Sequence, residues 1–505
     1  MTPCDVIIVG AGPVGLLLAG DLARAGLHVT VLEKLSEPSV VPKANAVIGQ
    51  AARLLHHRGI HRRLGMSHMP EPSQMFQFGG IALNLASSPY DRLHGIRTSQ
   101  QRLERALAER ALEAGVRIRR GCRVLDATDD QRIASVRFED ETSRVQTVMA
   151  SYVVGCDGAH SDVRRLAGID FPGVTDDQVI SRSADVVITG TSVSPGQVAV
   201  DIPGVGQLGL YSWNRNQRGA WSMLPKGDGI ILISAMEWSA NNNIADAAPV
   251  TFAEVSQAFN RVVGADIPIH PPSSPGRHQL RRWGGRNTRI ASTYRRGRIL
   301  LAGDAAHVHN AVGAPGLNVG LQDAACLAWR IAAAFHGAVD ALDGYEADRR
   351  PAAERVVMHT QVQTLLLSPA MAITSLRTLL SELFEEPAVV SRLVRMLEGS
   401  DVDYNADSAV HPLIGKFVPD LGHIDDALND VQPTLIRSHS SLDITLEGVR
   451  TIDSPMAVWP ATLMLVRTDG YVAWACDSPV PNDLAGLRRA AERLVGDASK
   501  TQAEH

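Results

Sequence analysis

DVIIVGAGPVGLLLAGDLARAGLHVTVLE, residues 5–33, decides how the chain is read. Asp5 to Val9 has the unbroken apolar pattern of a strand buried on both faces, and Gly10-Ala11-Gly12-Pro13-Val14-Gly15 follows it directly. A helix over Leu16 to Ala25 and a second strand over Val29 to Leu32, ending in Glu33, complete the unit. The three glycines do different things. Gly10 makes the tight turn, Gly12 lets a pyrophosphate approach the backbone, and Gly15 lets helix and strand pack closely. The helix N-terminus faces the phosphates. Glu33 accepts from ribose hydroxyls, and its charge repels a 2′-phosphate. A lone GxGxxG is a weak signal, whereas strand, glycines, helix, strand and acid in register are a strong one. The stretch predicts an adenosine-dinucleotide cradle built from Gly10, Gly12, Pro13, Val14, Gly15, Glu33 and its neighbour Lys34.

A second stretch far downstream, GRILLAGDAAHVHNAVGAPGLNVGLQDAACL at 297–327, has the same logic. Ile299 to Leu301 is a short apolar strand ended by Gly303-Asp304, and a Gly/Pro turn leads into an apolar helix over Leu321 to Ala334. A carboxylate at a strand end can hold a ligand hydroxyl, and backbone N–H groups at a helix start can face an electron-rich ring. Between the two stretches, Val153 to Cys156 is a buried strand followed by DGAHSDVR at 157–164, a further strand-to-Asp junction. Val41 to Gly49 reads as an extended loop and Gln50 to Arg58 as a helix; Lys43, Asn45, Gln50 and Arg53 bring polar and cationic groups to one region. Gln100 to Ala114 reads as a long helix, with a strand over Val116 to Arg119.

From Phe171 to about Gln279 the pattern turns to short alternating runs: 184–189, 197–202, 207–213, 218–224 and 229–235. This predicts an antiparallel sheet inserted between two parts of the dinucleotide unit, a flat wall for a planar molecule. Trp213, Trp221, Met223 and Trp238 are expected mainly as packed residues. Charged and amphipathic helices are expected from Ala338 to Leu397. Beyond Asp403 the composition shifts to a small α/β unit with strands over 455–459, 461–466 and 471–475 and a helix over Leu484 to Val495.

Composition narrows the class. Among 505 residues, 49 are basic and 54 acidic, which gives a net charge of −5 and no basic excess for nucleic acid. No window reaches the roughly 18 apolar residues of a membrane span, and the apolar start is broken by glycines and lacks a basic flank. Five scattered cysteines form no CxxC pair and no zinc spacing, so no metal is expected and a reducing cytoplasm fits.

With GAGPVG at 10–15, Glu33, DGAHSDVR at 157–164 and GDAAH…GAPGLNVGLQDA at 303–324 in chain order, residues 3 to about 400 resemble the single-component, FAD-dependent aromatic hydroxylases, the class A flavoprotein monooxygenases. HPLIGKFVPDL at 411–421 and LVRTDGYVAW at 465–474 look like the thioredoxin-like tail of the aromatic polyketide oxygenases, the anthracycline, angucycline, aureolic acid and tetracycline subgroup. The fold implied is α/β: a Rossmann-type FAD-binding domain over 1–170 and 280–400, an inserted antiparallel-sheet substrate domain over 171–279, and a thioredoxin-like C-terminal domain over 401–505.

The resemblance further implies FAD as cofactor and NADPH or NADH as cosubstrate. Gly10, Gly12 and Gly15 would take the pyrophosphate and Glu33 the adenosine ribose. Gln100 would contact the flavin and Val124 the adenine, through its backbone. Asp157 belongs to a motif associated with both FAD and the nicotinamide, and Gly303-Asp304 would hold the ribityl chain. Gly316, Leu317 and Asn318, after Pro315, would face the flavin's pyrimidine edge. Two departures are plain: Lys43, Gln50 and Arg53 stand where the family has Arg, Arg and Glu, and His309-Asn310 replaces a Pro-containing sequence.

The chemistry implied is reduction by NAD(P)H, addition of O2 at the flavin C4a carbon, and transfer of one oxygen atom to a polycyclic aromatic polyketide. Hydroxylation is the first reading. Baeyer–Villiger oxidation is the alternative, because a cation such as Arg53 or Lys43 near the flavin would favour an anionic adduct; Arg53 is thus the one candidate catalytic side chain. A non-catalytic flavoprotein is the third. No nucleic-acid or membrane partner is expected, and the protein is expected as a monomer or homodimer. The C-terminal unit has only Cys476 and so cannot form a thioredoxin-type disulfide.

Overall fold

The central sheet is assembled from pieces far apart in the chain. In the computed structural model its strand order is Arg295–Arg296, Ile299–Leu301, Tyr152–Gly155, Val6–Val9, Val29–Leu32 and Arg117–Arg119. Every pairing is parallel except that of Arg295–Arg296. The structure describes all residues except 1–3, 41–43, 88–91, 195, 239–248, 275–277, 285, 311, 314, 405–410, 421–427, 429–430, 439–443, 455–460 and 497–505.

The four inner strands are buried at every position, which is why they read as continuous apolar runs rather than alternating ones. Helix Pro13–Arg24 packs against Gln100–Glu113 and Pro315–Phe335, so the two glycine-rich segments are drawn to one end of the sheet. The helix expected from Leu321 starts earlier, at Pro315.

Three of the alternating runs fall in one antiparallel sheet, in the order Trp213–Asn216, Gly219–Gly227, Ile230–Trp238, Val179–Ile188, Ile269–His270, whereas the runs expected over 197–202 and 207–213 give Ala199–Ile202 and Gly206–Gly209, which pair as a separate two-stranded sheet. Leu280–Trp283 also pairs with Val179–Ile188, so this sheet extends past Gln279. Helix Phe252–Val263, which the alternating pattern does not announce, packs on it. Gly173–Asp176, Arg286–Ile290 and His307–Val308 form a three-stranded sheet that ties the stems of this region to the residues just after Asp304.

Near the C-terminus the strand order is Arg450–Asp453, Thr434–Arg437, Leu463–Val466, Val472–Cys476, with helix Pro481–Val495 against the last strand. The strand expected over 455–459 lies outside the described residues. Among the described residues, no single helix is long and apolar enough to cross a membrane.

Candidate functional site

The first loop shows why its glycines are glycines. Gly10 has φ +105°, and a Cβ there would lie 2.4 Å from the Cys156 carbonyl oxygen. A Cβ on Gly15 would lie 2.1 Å from the Gly10 carbonyl oxygen. Gly12 differs: a Cβ there would meet nothing within 4 Å, so the space above its backbone is open. Helix Pro13–Arg24 begins immediately afterwards with no side-chain cap and no acidic residue in its first turn. Its leading N–H groups and positive dipole end are therefore available to an anion.

Glu33 is tied across this loop. Its Oε2 accepts from Ala11 N at 2.7 Å and its Oε1 from Leu35 N at 2.9 Å. A carboxylate with two oxygens has further lone pairs for ligand hydroxyls. Lys34 is exposed beside it. Cys122 N donates to the Glu33 carbonyl at 2.8 Å, which brings the strand containing Val124, Arg123–Asp129, alongside.

The downstream segment meets the first one at Val14. Its Cγ2 would lie 3.1 Å from a Cβ on Gly303 and 2.7 Å from one on Gly320. Small residues at 303 and 320 let the turn and helix Pro315–Phe335 close onto the first loop. Gly303 has φ +63°, and Asp304 next to it is exposed at the end of Ile299–Leu301. Pro315 is buried, Gly316 and Leu317 are partly buried, and Asn318 Oδ1 accepts from Ile48 N at 3.1 Å. An open backbone over Gly12, two helix starts, a placed Glu33 and an exposed Asp304 fit a dinucleotide laid across both segments.

Other expected positions are engaged with protein. Asp157 accepts from the Ser161 hydroxyl and from Asp162 N and Val163 N at 2.7 and 3.1 Å, so it caps the short helix Asp162–Leu166; burial raises its carboxyl above the usual range despite these donors. Gln100 Nε2 donates to Glu104 at 2.7 Å, and its backbone N donates to the Ala44 carbonyl. Lys43 lies outside the described residues. Arg53, the candidate catalytic side chain, is engaged with protein: its Nη1 and Nη2 donate to the Val418 and Pro419 carbonyls at 2.8 and 3.1 Å, and it lies over the Phe417 ring. The buried guanidinium binds the C-terminal segment to helix Gln50–His57.

A histidine cluster lies beside the start of helix Pro315–Phe335. A Cβ on Gly316 would be 3.3 Å from His309 Cε1 and Nε2, and His309 Nδ1 lies 2.9 Å from the Asn310 carbonyl oxygen, which makes Nδ1 the donor. Asn310 Nδ2 donates to Thr364 Oγ1, and Gln363 Nε2 lies 3.1 Å from His359 Nδ1. The sequence marks 309–310 as a departure but carries no sign of His359 or Gln363 behind it.

Burial, reinforced by the neighbouring His307, pushes His309 down to about 4; burial, with His309 and Arg355 nearby, pushes His359 down to about 3. In the unfolded chain both titrate near 6.5. The unfolded state therefore binds more protons at intermediate pH, so stability is lost as pH falls below the unfolded value and continues to fall towards the folded ones. The slope is up to about 1.4 kcal/mol per pH unit for each histidine. His359→Gln is expected to flatten the loss of stability between pH 6.5 and 4 in denaturant titrations; a slope identical to the parent's would refute it.

A family model described as FAD binding domain matches residues 3–360. The chain is 32% identical to an uncharacterized aromatic compound monooxygenase of Bacillus subtilis, covering 99% of this chain and 100% of that protein. It is 33% identical to the dialkyldecalin synthase of Streptomyces rugosporus, over 98% of this chain and 99% of that one. The solved structure of the OxyS anhydrotetracycline hydroxylase from Streptomyces rimosus superposes with a TM-score of 0.80 at 30% identity, covering 97% of this chain and 99% of that one. With most of its length matched by the family model, the chain belongs to the FAD binding domain family and is an FAD-dependent enzyme.

Proposed function

We propose that the protein is an NAD(P)H-dependent monooxygenase that places one oxygen atom from O2 on a polycyclic aromatic polyketide by hydroxylation. The observation that carries this reading is the position of the loop between the two downstream motifs. Val312 packs with Val179, Ala220, Met236 and Leu367, with Trp213 and Trp238 against the same cluster. The antiparallel sheet thus presents aromatic and apolar side chains to the segment that links Asp304 to Gly316, a setting suited to a flat, largely apolar substrate.

When bound, FAD accepts hydride from the nicotinamide and activates O2. The chain's own residues hold and shield it. The N–H groups around Gly12 and the first turn of Pro13–Arg24 take the pyrophosphate, Glu33 the adenosine ribose, and Val124 borders the adenine. Asp304 takes the ribityl hydroxyls, and the backbone of Gly316, Leu317 and Asn318 serves the pyrimidine edge. The apolar wall keeps water from the reacting centre.

The supporting domain assignment is a Rossmann-type FAD domain over 1–170 and 280–400, a substrate domain over 171–279 with Leu280–Trp283 shared at its boundary, and a thioredoxin-like unit over 401–505. In that unit the first two strands pair in parallel and the last two antiparallel around Thr434–Arg437, the arrangement of a thioredoxin-type core. Of the two cations behind the Baeyer–Villiger alternative, Arg53 is held by the Val418 and Pro419 carbonyls and Lys43 lies outside the described residues, so hydroxylation is kept as the first reading.

The dialkyldecalin synthase relative favours one second reading, an FAD enzyme whose reaction consumes no oxygen. Incubation of the flavin-loaded protein with NADH or NADPH, 18O2 and a panel of tetracyclic phenols separates the two. Substrate-stimulated NAD(P)H consumption and a new phenol carrying one 18O are expected. A ring lactone would overturn hydroxylation, and product formation without label or NAD(P)H use would overturn the monooxygenase reading.

A further inference from the structure

Between the cofactor turn and the C-terminal segment runs a buried chain of polar groups to which the proposed reaction gives no part. Asp323 sits inside an apolar helix with no exposed surface, where a charge is costly unless paired. Its Oδ2 accepts from Gly303 N at 3.0 Å and lies 2.6 Å from His307 Nε2, while its Oδ1 accepts from Arg349 Nε at 2.7 Å. Arg349 is itself fully buried and donates through Nη2 to the Val319 carbonyl and Gln322 Oε1 at 3.3 and 3.2 Å. Its Nη1 donates to the hydroxyl of Tyr404.

Tyr404 belongs to the C-terminal segment and is clamped there. Its ring stacks on Tyr471 with centroids 4.1 Å apart, and the Arg467 guanidinium lies 5.2 and 5.4 Å from the two rings. Tyr471 donates to Gln50 Oε1 at 2.8 Å, which also accepts from Gln322 Nε2 at 3.1 Å. The C-terminal segment therefore reaches to within two side chains of the Gly303 amide.

Resting on the reading of Asp304 as a cofactor-holding residue, we propose that Tyr404 is a positioning residue for the Gly303–Asp304 turn, acting through the Arg349–Asp323 pair. Gly303 has the left-handed backbone that aims Asp304 outward, and its N–H is fixed by the same carboxylate oxygen that faces His307. The guanidinium sets that carboxylate, and the tyrosine hydroxyl is one of the acceptors that set the guanidinium. Burial pushes the Tyr404 hydroxyl well above the usual phenol range, so it stays a neutral acceptor. The C-terminal unit thereby completes the cofactor cradle through this relay.

The experiment uses the full chain and Tyr404→Phe, which removes one oxygen atom. FAD Kd, measured by quenching of flavin fluorescence, is expected to rise about tenfold, the equivalent of one hydrogen bond. Without FAD, hydrogen exchange at the Gly303 amide is expected to accelerate. Combination with Asp304→Asn is expected to weaken binding less than the product of the two single effects. Asp420→Ala is the control: it removes a 2.9 Å docking contact with His94 Nε2 that shares no residue with the relay, and is expected to leave FAD Kd unchanged. If Tyr404→Phe does not fold, Gln322→Met, which removes another acceptor of Arg349, carries the same expectation. An FAD Kd within twofold of the parent, or an equal rise in Asp420→Ala, would overturn the relay. Failure of the parent protein to bind FAD would instead overturn the cofactor reading beneath it.

Discussion

Asp323→Asn is expected to lower stability by about 3–5 kcal/mol, because it leaves the fully buried Arg349 without an anion. The amide has one acceptor oxygen, where the carboxylate serves Arg349 Nε, Gly303 N and His307 together. Burial alone would raise the Asp323 carboxyl, but His307 and Arg349 outweigh it and hold the group below the usual range. The contribution is thus complete above the unfolded carboxylate pKa and is lost as pH falls through the folded value. Urea unfolding of parent and variant at neutral pH measures the difference. A loss below about 1 kcal/mol would show that the network is not a stability element.

Gly12→Val is expected to separate binding from folding. The position has extended backbone at φ −76° and ψ 177° and open space around it, so a valine fits the protein at a small cost in helix capping. The added methyl groups would occupy the approach to the first helical turn, and FAD affinity is expected to fall by at least about 100-fold, the cost of two lost charge-assisted hydrogen bonds. Gly15→Ala is the contrasting control, since its methyl would lie 2.1 Å from the Gly10 carbonyl oxygen and should disrupt folding itself. Circular dichroism and flavin titration on both variants check this. A Gly12→Val protein that binds FAD normally would remove the pyrophosphate from this loop.

How much of the molecule is legible in the sequence follows from how local each signal is. Strand, Gly10, Gly15, helix and Glu33 are legible because their partners are neighbours in the chain. Even the meeting of the two segments follows from matched motifs, although Val14 as the contact does not. Arg53 defeats a local reading because its acceptors, Val418 and Pro419, lie over 360 residues away and belong to backbone carbonyls that any residue offers. Asp323 does leave a trace, since a carboxylate amid Leu321, Ala324 and Ala325 is an anomaly in a buried helix. Helix Phe252–Val263 is also within reach: Thr251 caps it by accepting from Glu254 N at 3.1 Å, and Gly264 ends it in the left-handed conformation.

The strand order of the central sheet has a consequence for biosynthesis. Tyr152–Gly155 pairs on one side with a strand made early and on the other with Ile299–Leu301, which leaves the ribosome much later. At about 5–20 residues per second, the interval between Gly155 and Ile299 is on the order of 7–30 s. Throughout it the growing polypeptide carries an unpaired apolar edge and half a nucleotide pocket. Nascent protein is therefore most vulnerable to misassembly while the middle of the message is being translated, and free flavin can assist only after the later segment has emerged.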